Sequence, residues 1–151
     1  MRKIVPEEHA MKLTTTLNRL KEHHACQPRY EHLVKALGGV GFDHDQPINL
    51  LTILETNGLD DCLWALRATA ENCDRVARLM AADFAEDAQA IWRKHCPKDD
   101  RPAKAIDMSR RFAVGKASHE QLTAAWAAAG AAAEVAARQR HTEIVKRYLL
   151  A

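Results

Sequence analysis

The sequence predicts an all-α fold, an irregular multi-helix bundle or short helical array of six to eight helices. Apolar residues recur at helical spacing almost throughout, as in Leu59, Leu63, Leu66 and Ala70 at i, i+4, i+7 and i+11. No stretch alternates apolar and polar residues with β-branched and aromatic enrichment. Helix-starting and helix-stopping residues punctuate the chain at short intervals. With 151 residues, 47% hydrophobic and 28% charged, one domain over 1–151 with its own core is expected, made of an N-terminal helical subregion (1–46), a middle portion and a long C-terminal helix (118–149).

The first helix is expected from just after Pro6 to about His24, through Met11, Leu13, Leu17 and Leu20. Glu7 and Glu8 in its first turn complement the helix dipole, while Thr14-Thr15-Thr16 lowers its intrinsic propensity. Pro28 opens a second helix carrying Tyr30, Leu33, Val34 and Leu37, and Gly38-Gly39 stops it. Val40 to Gln46 reads as a loop. Pro47 restarts the chain as a short apolar helix, Ile48 to Leu54, closed by Asn57-Gly58. The next helix starts around Leu59-Asp60-Asp61 with an apolar stripe reaching Ala70, and Trp64 lies beside that stripe.

Asn72 or Asp74 caps a helix reaching about His95 through Val76, Leu79, Met80, Phe84, Ala88, Ile91 and Trp92, its continuity with the preceding helix left open. Pro97-Lys98-Asp99-Asp100-Arg101-Pro102 is the clearest break, and the helix beyond it carries Ala105, Ile106, Met108 and Phe112 to near Gly115. Ser118-His119-Glu120-Gln121 has capping-box spacing and opens the last helix, which at 1.5 Å per residue would extend about 48 Å, with Gly130 as its weak point. The set expected to be largely buried is Leu17, Leu33, Leu54, Leu63, Trp64, Leu66, Leu79, Phe84, Ile91, Ile106, Phe112 and Trp126.

Net charge is +2, too small to create a strong field for nucleic acid or an anionic membrane, although residues 98–151 carry 10 Lys/Arg against 6 Asp/Glu. Cys26, Cys62, Cys73 and Cys96 form no Cys-x-x-Cys pair and are expected as reduced thiols in a cytoplasmic protein. No residue spacing for a nucleophile and its base, a metal site or a cofactor stands out, so no catalytic, metal or cofactor residue is expected.

Two clusters are candidates for contact with a partner protein. Asp60, Asp61, Trp64 and Arg67 lie within two helical turns and combine acids, an aromatic ring and a guanidinium, residue types suited to an interface anchor. Their structural roles would be to cap the helix, fill the core and pair charges. Asp99, Asp100 and Arg101 could present a charged loop, or could simply stop one helix and start another. Asp83, Glu86 and Asp87 read as a solvated helix face. Ten of the fourteen residues from Ala124 to Ala137 are alanine. Ala129, Ala133, Ala136 and Ala137, extended by Ile144 and Tyr148, form a face that could receive the same helix of a second copy, so a homodimer is expected.

The stretch Pro47 to Arg67 resembles a block found in small phage- and prophage-encoded proteins. Asp74 to Gly115, including Ala81-Ala82-Asp83-Phe84-Ala85-Glu86 and Asp99-Asp100-Arg101-Pro102-Ala103-Lys104-Ala105-Ile106, resembles proteins labelled "putative immunity protein". The resemblance covers about 45–115 and more loosely the tail. It implies an all-helical, non-enzymatic module that neutralises or modulates an unknown protein by direct contact. The alternatives are a nucleic-acid accessory factor, or a metal-binding protein or enzyme using His23-His24-Ala25-Cys26 and His95-Cys96.

Overall fold

The computed structural model describes residues 12–95, 97–98, 100–129 and 138–150. The elements in order are β1 (Thr14–Thr15), α1 (Leu17–Glu22), α2 (Gln27–Ala36), a 3-10 turn (Gly39–Gly41), β2 (Ile48–Asn49), α3 (Leu50–Asn57), α4 (Leu59–Ala65), a second 3-10 turn (Leu66–Ala68), α5 (Asp74–His95), α6 (Arg101–Ala113), α7 (His119–Ala129) and α8 (Arg138–Leu150). The fold is all-α, with one minimal two-stranded ribbon. The chain divides into two compact units: Met1–Cys73 with Leu149–Ala151, and Asp74–Tyr148.

The first unit corrects the expected N-terminal helix. Thr14 and Thr15 are strand residues paired antiparallel with Asn49 and Ile48, and helix begins only at Leu17. Branched Cβ atoms favour extended backbone, and Thr16 then caps α1 by accepting the Arg19 N–H on its hydroxyl at 3.1 Å. The portion of that expected helix before Lys12 lies outside the described residues. Ile48 is likewise strand rather than helix, and α3 starts at Leu50 because Asn49 accepts the Leu51 N–H on Oδ1 at 2.9 Å.

The helix whose apolar stripe reaches Ala70 stops before the end of that stripe. α4 ends at Ala65, tightens into the 3-10 turn and reaches extended Thr69. The carbonyl of Ala68 accepts from the Thr15 hydroxyl at 2.7 Å and from Arg19 Nε at 2.9 Å, and the Arg19 guanidinium also reaches the Thr69 carbonyl. These side chains satisfy carbonyls that would otherwise be orphaned at a helix end. α5 is therefore a separate helix from α4, which settles the continuity left open by the sequence.

Within the first unit, Leu13, Leu17, Leu33, Leu50, Ile53 and Cys62 are buried. In the second, α5 packs on α6 and α6 on α7, with Val76, Met80, Ala82, Ala105 and Ile106 buried. Of the expected core, Leu17, Leu33, Leu54, Leu79 and Ile106 are fully buried, and Leu63, Trp64, Leu66, Phe84, Ile91, Phe112 and Trp126 are mostly covered but keep part of their surface exposed. Alanines are buried beside these, Ala65 and Ala68 in one unit and Ala82, Ala105 and Ala113 in the other. Small side chains at such positions allow helix axes to approach closely.

The capping box at Ser118 is present in both directions: the Ser118 N–H donates to Gln121 Oε1 at 2.8 Å and the Gln121 N–H to Ser118 Oγ at 3.2 Å. It opens α7, described through Ala129, and helix is described again from Arg138. The Gly130 bend and Ala133, Ala136 and Ala137 of the expected dimer face lie outside the described residues.

Candidate functional site

A cleft of about 270 Å3 opens in the first unit between the end of α1 and helices α2, α3 and α4. Its apolar walls come from Leu20, Leu33, Ile53 and Trp64. Its polar groups come from Arg29, Asn57, Asp60 and Asp61. The local sequence explains the arrangement. Gly58, at φ +89°, breaks the chain between α3 and α4, and the first turn of α4 then presents Asp60 and Asp61 beside the end of α3.

Asp61 is fixed on both oxygens. Arg29 donates to Oδ1 at 3.0 Å and Asn57 Nδ2 to Oδ2 at 2.9 Å, while the same Asn57 amide donates to the Arg29 carbonyl at 3.0 Å. The Asp61 side chain is 18% exposed and that of Arg29 56%, so the anion sits deeper than its cation. The Arg67 guanidinium lies 4.8 Å from the Trp64 ring centroid, and its Nε donates to the Trp64 carbonyl at 3.1 Å. This stack holds the indole as a wall of the cleft. The Tyr30 hydroxyl, also at this site, is buried without a hydrogen-bond partner, and burial raises its pKa above the ordinary phenol value.

The structure thus brings together Asp60, Asp61, Trp64 and Arg67, the cluster singled out in the sequence. It adds Arg29, Tyr30, Asn57 and the apolar walls, which the sequence reading missed. Asn57 and Asp61 stand four apart, and that spacing was the available signal, masked by the helix break at Gly58.

Asp100 and Arg101 belong to the second unit. Asp100 occupies the N-cap position of α6 without a side-chain cap bond and pairs with Lys104 at 2.7 Å, and Arg101 is exposed at the start of that helix. Asp99 lies outside the described residues. Of the expected dimer face, Ala129 is half-buried at the end of α7, while Ile144 and Tyr148 are 5% exposed and thus already covered by their own chain.

Asp83 and Glu86, read from sequence as a solvated face, instead form a clasp. Arg110 donates to Asp83 Oδ1 at 2.8 Å and Glu86 Oε2 at 2.9 Å, and the Tyr148 hydroxyl donates to Asp83 Oδ2 at 3.0 Å. Burial first, then the Asp83 carboxylate, raises the Tyr148 pKa. Nearby His141 stacks on Phe84 with ring centroids 4.4 Å apart, and its Nε2 lies 3.9 Å from Asp87 Oδ2, beyond direct hydrogen-bond distance. These contacts join α5, α6 and α8.

His23, His24 and Cys26 are exposed, Cys62 and Cys73 are buried free thiols, and Cys96 lies outside the described residues. Among the described residues no group of three or more His, Cys, Asp or Glu is placed to hold a metal ion, and no helix is long and apolar enough to cross a membrane.

Comparison with known proteins gives a family match. The model of a family described as "Imm-5 like putative immunity protein" matches residues 66–149, more than half of the 151-residue chain. No curated protein and no solved structure matches. The matched region contains the whole clasp of the second unit. The resemblance seen in the sequence over Asp74 to Gly115 falls inside it, whereas most of the block from Pro47 to Arg67, and every residue lining the cleft, precedes it.

Proposed function

The chain belongs to the Imm-5 like putative immunity protein family, and from that premise we propose an immunity-like factor that neutralises or modulates another protein by direct contact, without catalysis. The family match is the observation that carries this reading. The cleft of the first unit supports it and is the contact surface assigned here: an aromatic ring, a guanidinium and two acids surround an apolar hollow, the composition that concentrates binding energy at interfaces. The matched second unit supplies the common scaffold. The resemblance of Pro47 to Arg67 to phage and prophage proteins extends the proposal to a phage- or prophage-encoded gene acting in the cytoplasm.

The test is genetic and then physical. Each open reading frame flanking the gene is expressed alone and together with this chain. One frame should arrest growth alone and lose that effect on co-expression, and the two chains should copurify in a fixed ratio. Growth arrest unrelieved by this chain would overturn the immunity reading. Rescue without a complex, or with chemical alteration of the toxic protein, would overturn direct contact.

A further inference from the structure

We draw no further inference here: the strongest candidate, the apolar cleft between the end of α1 and helices α2, α3 and α4 in the first unit, belongs to the site already described, and nothing in the structure shows what covers it.

Discussion

Tyr148 donates its hydroxyl to Asp83 Oδ2 at 3.0 Å across 65 positions of sequence, while Arg110 holds the opposite oxygen of the same carboxylate at 2.8 Å. The Asp83 side chain is 11% exposed, so its charge is stabilised by these two donors more than by water. Three helices converge on one carboxylate.

Tyr148→Phe removes one of those donors and keeps the ring. It is expected to lower unfolding stability by about 1.5–3 kcal/mol, the range for a hydrogen bond to a charged group. Asp83→Ala should cost more, because it leaves both Tyr148 and one bond of Arg110 without their acceptor, although Glu86 retains Arg110 at 2.9 Å. Urea denaturation of the two variants checks both values; equal stability of Tyr148→Phe and the parent would show that the clasp contributes no net energy.

Glu71 fixes the start of the strand in the other unit. It accepts the Thr14 N–H at 2.8 Å and the Thr14 hydroxyl at 2.7 Å. Burial pushes its pKa upward, but these two bonds and the charge of Arg19 outweigh burial, and the net shift is downward. A carboxyl lowered by folding contributes stability that is present above its unfolded value, near 4.5, and lost as pH falls through the lower folded value. Glu71→Gln should therefore be less stable than the parent at neutral pH, by about 1 kcal/mol, with the gap closing in acid below that range. Denaturation midpoints from pH 7 to pH 3 measure the gap, and a gap that widens in acid would contradict this account.

Trp126 is anchored by a relay: its indole N–H donates to Ser109 Oγ at 2.9 Å, and that hydroxyl donates to the Ala105 carbonyl at 2.9 Å. Ser109 is buried, so Ser109→Ala strands the indole donor in a half-buried position. A loss of about 1 kcal/mol is expected, and Trp126→Phe in the Ser109→Ala background should cost less than in the parent. A double-mutant cycle by thermal unfolding reads the coupling directly; additive losses would show that the relay is not energetically connected.

The thiols should separate by reactivity. Cys62 is 1% exposed, and burial pushes its pKa up to about 12, whereas Cys26 is exposed at the N-cap of α2. Alkylation near pH 8, read by peptide mass, should modify Cys26 in the native chain and Cys62 only after denaturant is added. Native labelling of Cys62 at the rate of Cys26 would place it at the surface.

Local chemistry alone determined the helical class, the second helix after Pro28, the break between Pro97 and Pro102, the stop near Gly115 and the reciprocal cap at Ser118. Each depends on residues a few positions apart, whose φ preference or side-chain reach acts within one turn. The acids and the indole of α4 were legible for the same reason: Asp60, Asp61, Trp64 and Arg67 share one short segment.

What the tertiary structure decided involves partners distant in sequence. Thr14 and Thr15 could have weakened a helix or formed a strand, and pairing with Asn49 and Ile48 chose the strand. Trp64 could have filled a core, but the packing of α2 and α3 beside α4 leaves it half-buried as a wall of the cleft. Asp83 and Glu86 satisfied the pattern of a solvated face until Arg110 and Tyr148 arrived from 27 and 65 residues away. A side chain's spacing along its own helix sets which way it points; only the packing of other helices against it sets whether water, an apolar wall or an opposite charge is there to meet it.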